Sequence, residues 1–143
     1  LRYYTFDIDC IFSDENVRRY SKILTKKYKL HEDWLNDAIL NIVNTDMKKE
    51  EFERTVRIGG LNVYVPTIEQ MLAMKLFSAR MGASKDLEDA YKLARIIGIR
   101  NTTQMRNILK TYFKLESIRD RNKKHKNIIG RFMVKLEELL NED

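Results

Sequence analysis

The sequence has little of what punctuates or staples a chain: one cysteine, one proline and five glycines in 143 residues. A single thiol, Cys10, excludes a disulfide scaffold and a cysteine-based zinc site, and its default setting is the reducing cytoplasm. So little glycine and proline excludes collagen-like and linker-like chains. Long apolar runs are missing too: none approaches the roughly 18–20 residues that span a bilayer. No basic-then-apolar leader opens the chain, and no membrane is expected among its partners. The chain opens on Leu1 rather than methionine.

What is present is an ordinary globular composition, 43% hydrophobic and 10% aromatic, which excludes a disordered polyelectrolyte. The length suits one domain with one core. The formal net charge is +6 and it is unevenly held. Residues 1–71 carry 11 Lys/Arg and 12 Asp/Glu, residues 72–143 carry 16 and 9. A basic second half suits either a polyanionic partner, with nucleic acid ahead of a membrane surface, or a solvated helical face.

Aromatic and β-branched residues at period two predict a strand over Arg2–Phe12, with Phe6, Ile8 and Cys10 on one face and Thr5, Asp7 and Asp9 on the other. Ser13-Asp14-Glu15 is a helix start, and Val17, Tyr20, Ile23, Leu24 and Tyr28 follow at helical spacing among Arg18, Arg19, Lys22, Lys26 and Lys27. A short helix is predicted over Asp33–Val43. Two alternating runs about Gly59-Gly60 predict a hairpin over Thr55–Val65. Pro66 ends it, Thr67-Ile68-Glu69-Gln70 fits a capping box, and helices are predicted over about 67–82, 85–97, 102–115 and 124–141.

Three groups of residues are able to carry chemistry. Asp7 and Asp9, two apart on a strand, point to one face about 6–7 Å apart. They reach a common hard cation such as Mg²⁺, or they are the wet face of an edge strand. Lys75 stands beside the apolar stripe Ile68, Met71, Leu72, Leu76 and Ala79, and its ammonium either snorkels to solvent or points into a cleft; Arg80 is open to both readings. Asp86 and Asp89 share a face at a helix start, where acids suit the dipole. Across a tight helical hairpin they would also orient Lys75 or Arg80. His31 and His125 make no ligand pair, and Tyr3-Tyr4, Tyr112-Phe113 and Trp34 read as stacking or packing residues.

In combination, Arg2-x-x-Thr5-x-Asp7-Ile8-Asp9, Trp34-Leu35-Asn36-Asp37, and Leu72-Ala73-Met74-Lys75-Leu76 with Arg80 and Lys85-Asp86-Leu87-Glu88-Asp89 resemble the DNA polymerase β-like minimal nucleotidyltransferases. Within that family the likeness is to the branch of AbiEii-type toxins and related orphan proteins, and it spans residues 2–98. It implies an α/β (α+β) fold, with a small mixed sheet of nucleotidyltransferase type, flanking helices and a helical C-terminal half. Residues 1–66 would form the sheet portion and 67–143 the helical portion, packed with it as one unit. The resemblance implies that Asp7 and Asp9 are catalytic and bind Mg²⁺. It implies that Lys75, also catalytic, contacts the phosphates of a nucleoside triphosphate, with Arg80, Asp86 and Asp89 around the same cleft. The implied reaction attaches a nucleoside monophosphate to a hydroxyl of RNA, such as tRNA, or of a protein, in a toxin whose partner is a cognate antitoxin. The family's Gly-Ser turn precedes the Asp-x-Asp strand, so a chain opening at Leu1 reads as part of a longer one. Thr55–Val65 holds no third carboxylate, Glu53 being the nearest acid. The rival reading is a catalytically inactive module of this fold that binds nucleic acid or a protein partner.

Overall fold

The computed structural model describes residues 8–10, 14–37, 54–58, 61–80, 82, 84–113 and 123–142. Expectations for Arg2–Asp7, the Gly59-Gly60 turn and residues 38–43 lie outside them. The chain divides into two compact units, Leu1–Thr45 and Asp46–Asp143.

The first unit holds a strand, β1 (Ile8–Asp9), a helix, α1 (Glu15–Tyr28), and a second strand, β2 (Leu35–Asn36). The strands run parallel, Ile8 opposite Leu35 and Asp9 opposite Asn36. Parallel strands need a crossover, and α1 supplies it. Helix α1 starts where the sequence predicts, because the Asp14 carboxylate accepts from the Asn16 N–H at 2.8 Å. It ends on Lys29, whose φ of 52° is left-handed, with the Leu30 N–H returning to the Thr25 carbonyl at 3.1 Å.

Of the helix predicted over Asp33–Val43, residues 33–37 are described and they are not helical. Residues 35–36 are extended instead, because their neighbours find partners across the unit. The Ile8 N–H donates to the Trp34 carbonyl at 2.7 Å and the Cys10 N–H to the Asn36 carbonyl at 2.9 Å. The Trp34 indole donates to Thr25 Oγ1 at 3.0 Å, and Arg18 grips Asp37. Long-range pairing therefore outweighs the local helical preference of the segment.

The second unit opens with the predicted hairpin, β3 (Arg54–Ile58) and β4 (Leu61–Val65), whose register sets Ile58 opposite Leu61 and Arg54 opposite Val65. After Pro66 come α2 (Ile68–Phe77), α3 (Ser84–Ile96), α4 (Thr102–Tyr112) and α5 (Lys123–Asn141). The capping box at α2 is complete: the Thr67 N–H donates to Gln70 Oε1 at 2.7 Å, and Thr67 Oγ1 accepts from the Gln70 N–H at 3.1 Å. Helix α2 stops five residues short of the predicted 82; the Ala79 N–H tightens onto the Leu76 carbonyl and turns the chain. Helix α3 closes on Gly98, φ 73°, with Gly98 N–H bonded to Arg95 and Ile99 N–H to Ala94. That double return is the Schellman arrangement, in which glycine takes the left-handed position at no steric cost.

The core of this unit is helix on helix. Leu72 and Leu76 of α2, Ala90 and Ala94 of α3, Met105 of α4, and Met133 and Leu136 of α5 are almost wholly buried. Alanines on α3 let its neighbours approach closely, and Phe77 stacks on Phe113 with ring centroids 4.0 Å apart. Among the described residues the architecture is α+β, with five helices, one parallel and one antiparallel two-stranded sheet. None of those helices is long and apolar enough to cross a membrane.

Candidate functional site

The turn between α2 and α3 brings four of the candidate residues together. Lys75 lies in the last turn of α2 and Asp86 in the first turn of α3, so each charge also suits its helix dipole. Early termination of α2 and the left-handed Gly82, φ 83°, fold α3 back beside it. Lys75 Nζ then reaches Asp86 Oδ1 at 3.0 Å and Asp89 Oδ2 at 3.2 Å. Arg80 Nη2 reaches the other oxygen of Asp86 at 3.3 Å. Asp86 and Asp89 present one face because they are three residues apart in a helix.

Burial grades this cluster. The Asp86 side chain is 16% exposed, that of Lys75 33% and that of Arg80 77%. Partial burial of Asp86 opposes its ionisation, but hydrogen bonds and charge from Lys75, then from Arg80, outweigh it and hold its pKa below the ordinary carboxylate value. Two cations stand against two carboxylates, so the cluster is internally balanced and ties α2 to α3. An ammonium has three N–H donors. Two are committed to Asp86 and Asp89, which leaves one for a further acceptor such as a phosphate oxygen.

Of the strand pair, Asp7 lies outside the described residues. Asp9 is exposed on β1 opposite Asn36. It belongs to the first unit, and Lys75, Arg80, Asp86 and Asp89 to the second. Beside Asp9, partial burial and then the charges of Asp37 and Asp9 push the Cys10 thiol above its ordinary pKa, and the Cys10 S–H donates to the Asn36 carbonyl at 3.4 Å. Such a thiol is protonated and unreactive at neutral pH.

Trp34-Leu35-Asn36-Asp37 turns out to be a structural block: an indole on Thr25, two paired backbone residues, and a carboxylate on Arg18. Tyr112 and Phe113 are likewise occupied, Tyr112 donating to Glu69 at 3.0 Å and Phe113 stacked in the core. An open groove of about 340 Å³ runs between α3 and α5 over Leu87, Tyr91 and Leu139, and none of the four clustered residues lines it. Sequence reasoning missed the exposure of Tyr20 and Tyr28 on α1. The available signal was the second, small-residue stripe of the same helix, Val17, Ser21 and Thr25.

No family model, no curated protein and no solved structure matches this chain.

Proposed function

We propose that this chain is a nucleotidyltransferase-like protein that moves a nucleoside monophosphate from a nucleoside triphosphate to a hydroxyl of RNA or protein. The setting this reading carries with it is a toxin held by an antitoxin. What supports it is the Lys75 ammonium fixed 3.0 and 3.2 Å from Asp86 and Asp89, with Arg80 on the same Asp86. A lysine whose position is fixed by carboxylates on the facing helix meets a phosphate without first losing its rotamer freedom.

In this reading Asp7 and Asp9 hold Mg²⁺; their oxygens are hard donors of the kind that ion takes, and Asp9 stands exposed on its strand. Bound there, Mg²⁺ would supply charge neutralisation to a phosphoryl group. In the helical unit by itself, Lys75 would offer its remaining N–H to a phosphate oxygen, and Arg80 would add positive charge beside it. The acceptor hydroxyl oxygen forms a bond to the α-phosphorus, the bond from that phosphorus to the bridging oxygen breaks, pyrophosphate leaves, and the hydroxyl proton passes to solvent.

The internal charge balance of the cluster favours a second reading, a catalytically inactive module in which the same four residues only tie α2 to α3. Transfer of label from each of the four α-labelled nucleoside triphosphates to total RNA and protein separates the two. The first reading expects Mg²⁺-dependent labelling that Asp9→Asn reduces by at least about 100-fold and Lys75→Met by at least about tenfold. Labelling indifferent to Asp9→Asn overturns it, and no labelling with any nucleotide leaves the second.

A further inference from the structure

Helix α1 tucks in its small and polar residues and leaves its apolar ones outside. Ser21 is buried and Val17, Arg18 and Thr25 are half-buried, whereas Tyr20 is 55%, Ile23 51%, Leu24 37% and Tyr28 59% exposed. Arg19 and Lys27 stand beside that exposed stripe, Lys26 and Lys22 lie progressively round toward the opposite side, Lys29 is at the cap, and Glu15 is the one acid of the helix. Both tyrosine rings carry a cation: the Arg19 guanidinium lies 5.4 Å from the Tyr20 centroid and the Lys27 ammonium 5.2 Å from that of Tyr28.

We propose that this face of α1 binds single-stranded nucleic acid, with Tyr20 and Tyr28 as stacking platforms for bases and Arg19 and Lys27 on phosphates. Aromatic rings interleaved with cations are what a single strand requires, since every base offers a π-face and every linkage a charge. Eight residues separate the two rings, about 12 Å along the helix, a span of three or four stacked nucleotides at about 3.4 Å each. The stripe suits a lipid surface less well. At 3.6 residues per turn Lys27 projects between Tyr20 and Ile23, which sets a cation in the middle of the apolar stripe, whereas a helix seated in a bilayer surface keeps its basic residues on the opposite, polar face. The inference goes beyond the transfer reaction and stands without it, because none of Asp7, Asp9, Lys75, Arg80, Asp86 and Asp89 takes part.

The test is fluorescence anisotropy of labelled oligouridine and oligothymidine, about twelve nucleotides long, with the full chain in EDTA and no nucleoside triphosphate. Stacking is worth about 1–3 kcal/mol per base, so Tyr20→Ala and Tyr28→Ala should each weaken binding at least about fivefold, while Tyr20→Phe and Tyr28→Phe retain it. Arg19→Gln with Lys27→Gln should lower the slope of log affinity against log salt by about 1.4, at about 0.7 per phosphate contact. Circular dichroism of all these variants should match that of the parent, because the side chains are on the outside. Affinity unchanged by the alanine variants and by the Arg19/Lys27 pair overturns the proposal. So does binding to phosphatidylserine vesicles, sensitive to the tyrosines, in a chain that ignores both oligonucleotides. Asp9→Asn should bind oligouridine like the parent. If no labelled nucleotide is ever transferred but this pattern holds, the transferase reading fails and the α1 surface remains.

Discussion

Replacing Asp86 by asparagine keeps the size of the side chain and removes its charge, which isolates what the ion-paired hairpin contributes. Asp86 accepts from Lys75 at 3.0 Å and from Arg80 at 3.3 Å. Hydrogen bonds to charged groups contribute about 1.5–3 kcal/mol, but three features hold the effect at or below the lower end of that range. Lys75 keeps Asp89, Arg80 is mostly in solvent, and one amide oxygen remains as an acceptor. The expected loss is about 1–1.5 kcal/mol at pH 7. For a domain of about 100 residues that lowers the thermal midpoint by about 4–12 °C. Urea unfolding followed by helical ellipticity measures it directly, and a loss under about 0.3 kcal/mol would refute the reasoning. The pH dependence supplies a second check. The folded pKa of Asp86 is lowered from an unfolded value of about 3.9, so between the two values the unfolded chain binds more protons. The stabilisation is thus complete above about pH 5 and fades as pH falls through the folded value. The gap between parent and Asp86→Asn should narrow steadily from pH 5 to pH 2; a gap that stays constant or widens means that Asp86 is not the titrating partner.

Four further outcomes follow from other parts of the molecule. Lys29 sits at φ 52°, so Lys29→Gly should stabilise the first unit by about 1 kcal/mol while Lys29→Ala does not, read by the urea midpoint of tryptophan emission. Thr67→Ala removes the acceptor for the Gln70 N–H and should cost about 1 kcal/mol in the unfolding of the helical unit. Leu136→Ala empties a fully buried position and should cost about 2–5 kcal/mol, visible as a lowered thermal midpoint. With its pKa raised by burial and then by Asp37 and Asp9, Cys10 should alkylate more slowly in the native chain at pH 8 than in urea; equal rates would remove that microenvironment.

The elements that the sequence predicts well are those with local causes. Asp14 and Thr67 announce their helices through side chains that bond the first turn, and the Gly59-Gly60 pair predicts a hairpin whose two strands the structure pairs antiparallel. The Lys75–Asp86–Asp89 cluster was half legible, because helical spacing places both acids on one face, but their distance from Lys75 depends on where α2 stops. That stop lies in a tightened turn at Ser78 and Ala79 with no proline or glycine to mark it. Residues 33–37 misled for another reason. The extended Leu35–Asn36 is held by partners in β1 and α1 that pair across nine or more residues, and no local pattern encodes such partners. On α1 the apolar periodicity was plain, but it marked the outside: burial went to the stripe of Ser21 and Thr25, whose hydroxyls bond backbone carbonyls at 2.8 and 2.9 Å.

The Trp34 indole, bonded to Thr25, is the one tryptophan of the chain, and it lies in the unit that holds one helix of the five described. Nature has in effect labelled the two units with different colours: indole emission follows the βαβ part, and far-ultraviolet ellipticity is dominated by the helical part. A single melt recorded through both channels reports each unit separately, without a dye or a tag. Arg18→Ala should move the first trace and Leu136→Ala the second.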